Sequence, residues 1–183
     1  MSRTVTLTQL LTDVRNQADI VGATARHDDT LLTRLINQSI QRFRERLTAD
    51  GIQHYLVNTT GLLTAGVTSP YPFNVLDLSA ASPNIVRTYS MDIDIGGRTK
   101  TLHHVQFEER SRWSGSQITG EPVAWCHIQT TTIAVMPAPT YAYSYAVWYL
   151  PKLADLSSGS DTFDGVAGWE DFIVWDVVSR LVV

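Results

Sequence analysis

Hydrophobic residues recur at helical spacing at both ends of the chain, and they alternate with polar residues in the middle. The first helical set is Leu7, Leu10, Leu11 and Val14. Just before this set, Thr6 and Gln9 have the spacing of a capping box, in which each side chain bonds the backbone N–H of the other residue. The pattern therefore predicts a short amphipathic helix that begins after Thr6.

A second helical pattern begins at Asp28 or Asp29, either of which can cap a helix, and it runs to about Ala49. Its apolar stripe is Leu31, Leu32, Leu35, Ile36, Ile40, Phe43 and Leu47. The opposite side carries Arg34, Asn37, Gln38, Gln41, Arg42, Glu45 and Arg46. We expect this helix to bury one face, to show an arginine-rich face to water or a partner, and to end at Asp50 and Gly51.

The helical period is lost between Ile52 and about Lys152, where Gly, Pro, Asn and Ser interrupt short apolar runs. Such spacing predicts a small antiparallel β domain of about seven strands. The expected strands are residues 53–60, 73–78, 86–95, 99–105, 123–129, 131–136 and 142–150. Gly96 and Gly97 suit a two-residue hairpin turn, and the charged residues 106–112 suit a helical turn.

The part of this domain between Gly120 and Pro151 is the most regular. Pro137 and Pro139 should stop the hairpin ladder, because neither can donate a backbone hydrogen bond. The last strand then alternates, and one face carries Tyr143, Tyr145, Val147 and Tyr149. We expect this tyrosine face to pack into a core or an interface.

A helical pattern returns after a loop predicted at residues 156–168. The stripe of the closing helix, residues 169–183, is Trp169, Phe172, Ile173, Val177 and Leu181. Trp175 and several valines lie off the stripe, so the helix should be covered on more than one side, by its own domain or by a neighbouring subunit. Its end has no capping signal, which leads us to expect a C-terminal continuation.

These elements predict an α+β fold, in which a small helical bundle carries an inserted antiparallel β domain. The expected parts are residues 1–51, 52–152 and 153–183. The chain has 183 residues and a net charge of −4, which disfavours nucleic-acid binding by the protein as a whole. One cysteine and no run of 18 apolar residues suit synthesis in a reducing cytoplasm and no membrane partner.

Residues that carry chemistry are present but poorly arranged for it. His103 and His104 are adjacent, so on a strand they point to opposite faces and cannot both ligate one metal ion. Cys126 and His127 offer at most two ligands, and a lone cysteine in an apolar strand usually behaves as a small hydrophobe. The sequence therefore predicts no metal, no cofactor and no catalytic cysteine.

Two pairs of carboxylates stay open as acid/base candidates: Asp92 with Asp94, and Glu108 with Glu109. The alternative for both pairs is a solvated polar face. Arg42, Arg44 and Arg46 could contact phosphates, but Arg44 points away from the other two on a helix. A polar helix face or an ion-pair surface between subunits is the more usual meaning of such a cluster.

The order of three short motifs carries a resemblance to a known family. They are Gly120-Glu121-Pro122, then Ile-x-x-x-Pro-x-Pro from Ile133, then Tyr-x-x-x-x-Trp-Tyr-x-Pro from Tyr143, followed by an acidic Ser/Gly loop and a Trp-containing helix. In this order, and with helices on both sides of the β domain, the chain resembles the head-to-tail adaptor (connector) proteins of tailed bacteriophages.

The resemblance implies a virion structural protein and not an enzyme. Such a protein would form a homo-oligomeric, dodecameric ring below the portal protein, present a platform to the tail nozzle or other tail proteins, and line the channel for genomic DNA at the head–tail junction. For the contacts with a neighbouring subunit or the portal, the sequence suggests Arg42, Arg46, Trp169, Phe172 and Trp175. The β domain would then face the tail.

Two other functions remain as alternatives. The first is a small cell-wall-degrading hydrolase that uses one of the carboxylate pairs. The second is a carbohydrate- or peptide-binding module of a virion, with Tyr143, Tyr145 and Tyr149 as an exposed stacking face. Burial of those three rings against the domain core would remove the second alternative.

Overall fold

The computed structural model describes residues 2–20, 27–66, 73–79, 85–113, 119–166 and 169–181. Its α-helices are Leu7–Gln17 (α1), Asp29–Ala49 (α2) and Glu170–Leu181 (α3). Its strands are Ser2–Thr6 (β1), Val57–Leu63 (β2), Asn74–Asp77 (β3), Ile85–Ile95 (β4), Arg98–Thr101 (β5), His103–His104 (β6), Thr119–Gly120 (β7), Ala124–His127 (β8), Thr132–Met136 (β9), Ala138–Pro139 (β10), Tyr143–Pro151 (β11) and Thr162–Val166 (β12). A 3-10 helix covers Phe107–Trp113.

The chain divides into two compact units. The helical unit comprises Met1–Tyr55 and Leu153–Val183, and the β unit comprises Leu56–Lys152. All three α-helices belong to the helical unit, which also holds β1 and β12, and the other strands belong to the β unit. The predicted α+β class is confirmed.

Local hydrogen bonds fix the starts of α1 and α2 where the sequence predicts them. The N–H of Gln9 donates to Oγ1 of Thr6 over 3.2 Å, and the N–H of Thr6 donates to Oε1 of Gln9 over 2.9 Å. Oδ1 of Asp28 accepts from the N–H of Leu31 at 2.8 Å. Gly51 has a φ of 84°, the left-handed conformation expected after α2.

The core of the helical unit combines the apolar faces of its three helices with one strand. Its fully buried members include Val14 of α1, Ile36 and Phe43 of α2, Phe163 of β12 and Val177 of α3. β12 pairs antiparallel with β1 inside the stretch that the sequence assigned to a loop. That prediction was wrong for residues 162–166, because the partner strand lies at the other end of the chain and leaves no local signal.

The β unit contains two four-stranded sheets, with the strand orders β2-β11-β4-β5 and β3-β9-β8-β6. The first sheet is antiparallel throughout, and Gly96 and Gly97 form its β4–β5 turn with φ of 61° and 84°. In the second sheet β6 and β8 are parallel. Both sheets contribute to one core, to which Met91 and Val147 come from the first sheet and Trp125 and Ile133 from the second.

The boundaries of two predicted elements need correction. The strand predicted at 99–105 divides at Leu102, whose N–H donates to the carbonyl of Met91 at 2.8 Å, whereas the N–H of His103 donates to Val123 at 2.9 Å. The chain passes there from the first sheet to the second. The strand predicted at 53–60 lies at Val57–Leu63 instead, because its register follows β11.

The segment with two prolines ends one ladder and begins another. β9 stops at Met136, as the proline argument predicts. However, β10 pairs in parallel with β7, a pairing that the sequence did not predict. The pairing needs no N–H from Pro139, because the N–H of Thr140 donates to the carbonyl of Gly120 at 3.1 Å.

Candidate interaction surface

Helices α2 and α3 pack against each other around Phe43, which is almost completely buried. The centroid of its ring lies 5.6 Å from that of Phe172 and 6.2 Å from that of Trp169. The ring of Phe163 packs edge-on against it at 6.2 Å. The aromatic cluster therefore starts in the core and reaches the surface at the beginning of α3.

Two tryptophans at this end of the chain are exposed, and Trp169 is the one that belongs to the cluster. Trp169, directly before α3, is 49% exposed, and Trp175 is 57% exposed. Phe172 lies between them in sequence and is partly buried against the core. Because the three residues are spaced three apart, they follow one side of the helix. The buried side of α3 is formed instead by Glu170, Ile173, Val174, Val177 and Val178.

An arginine from α2 lies beside the exposed aromatic residues. The side chain of Arg42 is 63% exposed, and its Nη1 lies 3.9 Å from Oδ1 of Asp176, the residue after Trp175. Asp176 also forms an ion pair with Arg180. Arg46 is exposed one helical turn after Arg42. We call Arg42, Arg46, Trp169, Phe172 and Trp175 the Trp–Arg surface.

Arg44 does not belong to this surface. It is only 2% exposed, and its guanidinium lies 4.9 Å from the centroid of the Tyr55 ring. Burial lowers the pKa of Arg44, against a smaller opposing effect of Tyr55. Helical spacing correctly separated Arg44 from Arg42 and Arg46, but its burial depends on Tyr55, which lies outside α2.

The Asp92 and Asp94 carboxylates are engaged in hydrogen bonds within the β unit. Asp92 accepts from Oγ1 of Thr101 at 2.6 Å and from Nε1 of Trp148 at 3.1 Å. Asp94 accepts from the N–H of Gly97 at 2.7 Å, inside the β4–β5 turn. These bonds give both carboxylates a role in holding the first sheet together.

The second pair of carboxylates lies in the 3-10 helix, where the sequence predicts a helical turn. Oε1 of Glu109 lies 3.1 Å from Nη1 of Arg112, and Oε2 accepts from the N–H of Gln106 at 3.2 Å. Glu108 is exposed in the first turn of the same helix. Both contacts of Glu109 are therefore local, within this one turn of the chain.

The tyrosine face of β11 packs against the core of the β unit. Tyr149 is buried, and Tyr143 and Tyr145 are partly buried hydrophobic neighbours of the same cluster. Burial also raises the pKa of Tyr145. These contacts bury Tyr149 and cover part of Tyr143 and Tyr145, which disfavours a stacking platform made of all three rings.

Two histidines come together in a way that the sequence did not predict. His104 and His127 lie on neighbouring strands with ring centroids 6.0 Å apart, and Trp125 lies beside both. Cys126 is buried, and this burial raises its pKa, so its thiol is held protonated. Among the described residues no three metal-ligating side chains cluster. The parallel pairing of β6 with β8, which local periodicity cannot reveal, explains the missed contact.

The Trp–Arg surface thus combines sequence-predicted residues of α2 and of the beginning of α3, two helices that pack together and are joined by the Arg42–Asp176 ion pair. It offers no arrangement of a nucleophile with a base, and its chemistry is that of apolar contact and ion pairing. No helix among the described residues has the length and apolarity needed to cross a membrane. No protein-family model and no curated protein sequence matches the chain.

Proposed function

We propose that this chain is a structural protein of a tailed-phage virion, which assembles into a ring-shaped adaptor between the portal vertex and the tail. Genomic DNA would pass through the ring without sequence-specific binding. The three ordered motifs of the sequence and an α+β fold with the β unit inserted between helical segments support this proposal. The observation that carries it is the Trp–Arg surface.

Exposed tryptophans beside arginines are typical of protein–protein interfaces. Tryptophan and arginine are enriched at interface centres, where a few such residues supply most of the binding free energy. Trp169 and Trp175 each leave about half of their surface to solvent. Covering the rest would contribute about 2 kcal/mol for each ring. This surface therefore favours association.

The occupant that we assign to the surface is a neighbouring copy of the chain. The side chains of Arg42 and Arg46 are exposed, and Arg42 comes only within 3.9 Å of Asp176. A neighbouring copy can offer further carboxylates, since the chain carries 18 acidic against 14 basic residues. A contact between this surface and a different, acidic surface of the next copy is heterologous. Repeated heterologous contacts form a closed ring when the rotation from one copy to the next is a whole fraction of a full turn. A mildly acidic protein also lets DNA pass, since a basic lumen would retain it.

Assembly with the portal tests the proposal. The purified chain is mixed with the portal protein of the same phage, and the products are imaged by electron microscopy and weighed by mass photometry. We expect rings seated on the portal, whereas the free chain can stay monomeric if the portal nucleates the ring. Neither a ring nor portal binding in any mixture would refute the adaptor function.

Variants separate the Trp–Arg surface from general surface effects. Trp175→Glu and Arg42→Glu should abolish ring formation while circular dichroism stays unchanged, because both side chains are largely exposed. The matched controls are Tyr141→Glu, an aromatic residue 71% exposed in the β unit, and Arg98→Glu on β5. If the controls abolish rings as completely as the surface variants, the Trp–Arg surface is not the subunit contact.

A further inference from the structure

An open cavity of about 570 Å³ lies within the β unit, away from every residue of the Trp–Arg surface. One wall comes from the beginning of β4 and the other from the end of β8 and the turn that follows it, with His104 of β6 between them. The lining residues are Val86, Arg87, Thr88, Tyr89, His104, His127, Ile128, Gln129 and Thr130. The adaptor proposal gives this cavity no role.

The β4 wall of the cavity departs from regular pairing. Trp148 and Tyr149 of β11 pair with Ser90 and Thr88, so the ladder skips Tyr89. A second shift, between Leu150 and Pro151, skips Val86. Such bulges change the direction of side chains and are common next to binding sites. Both bulges of β4 fall within its four cavity-lining residues.

Thr88 provides a hydrogen-bonding group with no partner. The residue is 5% exposed, and its Oγ1 is buried without a hydrogen bond in the described structure. A buried hydroxyl without a partner destabilises the folded protein. This oxygen has almost no accessible surface, so an acceptor in the cavity reaches it only after the lining side chains shift; the new hydrogen bond would then remove the cost.

Apart from Tyr89, the charged and titratable lining groups are basic. Arg87 holds its guanidinium 5.2 Å from the centroid of the Tyr89 ring, and the described residues place no carboxylate in an ion pair with it. His104 and His127 complete the set, and the lining includes no Asp or Glu. The cavity thus presents donors and positive charge from both walls.

The His127 imidazole resists protonation. Burial lowers the pKa of His127, a hydrogen bond with the backbone of Gln129 opposes that effect, and the neighbouring His104 lowers the pKa again. Nε1 of Trp125, beside both rings, is also buried without a partner. An anion between the two walls would offset the repulsion between protonated imidazoles.

We propose that this cavity is a binding site for an oxyanion, a phosphate or carboxylate group held by Arg87, the hydroxyl of Thr88 and the imidazoles of His104 and His127. Guanidinium and hydroxyl donors are the usual partners of such groups, and charge-assisted hydrogen bonds are the strong ones. Both kinds of oxyanion share this chemistry, and the test distinguishes them. The site does not depend on the adaptor function.

The test is a titration of the full chain followed by ¹H–¹⁵N NMR at constant ionic strength, with sulfate, inorganic phosphate and acetate as separate probes and chloride as the background ion. We expect saturable shifts confined to residues 86–89, 104 and 127–130. Stronger saturation by sulfate and phosphate would assign a phosphate group, and stronger saturation by acetate would assign a carboxylate. Sulfate keeps its charge over the working pH range, so its affinity should rise as pH falls and the His127 imidazole protonates.

Two substitutions test the assigned donors. Arg87→Gln should weaken binding of the preferred probe about tenfold or more, the effect of losing a charge-assisted hydrogen bond. Thr88→Val keeps the shape, so it should weaken binding severalfold while the free protein stays as stable or becomes more stable. The matched controls are Arg98→Gln and Thr60→Val, both at exposed positions of the same unit.

The outcomes are distinct. Absence of saturable shifts with all three probes overturns the proposal, and so does equal weakening by Arg87→Gln and Arg98→Gln, because that would be general charge screening. A zinc chloride titration that saturates the His104 and His127 signals while the anions do not would replace the oxyanion site with a metal site. An unchanged affinity in Thr88→Val also overturns the proposal as stated, because the buried hydroxyl is one of its assigned donors.

Discussion

Asp92 accepts hydrogen bonds through both carboxylate oxygens, from Thr101 and from Trp148. Asp92→Ala should therefore lower the free energy of unfolding by about 1–3 kcal/mol, because both donors lose a charged partner. Asp92→Asn should retain most of the stability, since its carbonyl can accept from Trp148 while its NH₂ donates to Thr101. Urea unfolding followed by tryptophan fluorescence measures both. Wild-type stability in Asp92→Ala would contradict this structural role.

His127 gives the chain a predictable sensitivity to acid. Its pKa in the folded protein lies below the ordinary value of 6.5, chiefly because the ring is partly buried. Below that pH the unfolded chain binds a proton that the folded chain resists, so stability should fall as pH decreases from about 6.5 toward the lowered folded value. His127→Gln should reduce this loss. Denaturant midpoints at about pH 7.5 and about pH 5.5 give the comparison, and identical pH dependence in both proteins would contradict it.

At the scale of residues, the sequence predicted which face of a helix a side chain occupies better than it predicted which residues that side chain contacts. The residues of the Trp–Arg surface could be named because four of them lie on helices whose period is visible and Trp169 directly precedes α3. Arg44 was separated from them by the same period, but its contact with Tyr55 joins residues from different elements. The pairing of His104 with His127 also depends on strand order, which no local pattern encodes.

The pairing of β2 with β11 depends on the absence of a side chain at Gly61. It lies opposite Tyr145 in the β2–β11 ladder, and a Cβ at this position would lie 2.6 Å from Oη of Tyr145 and 2.8 Å from its Cζ. Gly61→Ala should therefore destabilise the β unit by about 1–3 kcal/mol, because the ring must move. Thermal unfolding of the single variant measures this cost.

The background of Tyr145→Ala provides the control for this clash. Without the ring, Gly61→Ala should cost nothing or stabilise the strand, since glycine lowers strand stability. The difference between the two backgrounds is the coupling between the two positions. An equal cost in both backgrounds would show that the alanine disturbs the backbone and not the ring.

At the scale of elements, features that nearby residues specify were predicted, whereas pairings between distant short strands were not. The caps of α1 and α2 and the Gly96–Gly97 turn are each specified within a few residues, and each was predicted. The pairings of β1 with β12 and of β7 with β10 were not predicted, because each pair joins distant segments and each strand is short. The alternation of β11 predicted a packed face, and its tyrosines do pack on the core.

At the scale of the whole molecule, the two units have separate hydrophobic cores. The core around Phe43 belongs to the helical unit, and the core around Trp125 belongs to the β unit. Since a local loss of packing is transmitted through shared contacts, cores with no common member should open separately. The two units are therefore expected to behave as separate cooperative units in native-state hydrogen exchange.

A matched pair of substitutions makes this expectation measurable. Ile36 and Ile133 are both completely buried, the first in the helical unit and the second in the β unit. Ile→Val at either position removes one methylene group and should cost about 0.5–1.5 kcal/mol. In Ile36→Val the amides of α1, α2 and α3 should lose protection while those of β8, β9 and β11 keep it, and Ile133→Val should do the reverse. Equal loss in both units from either substitution would mean that the chain opens as one cooperative body, and a ring built from it would then transmit strain from the helical unit to the β unit.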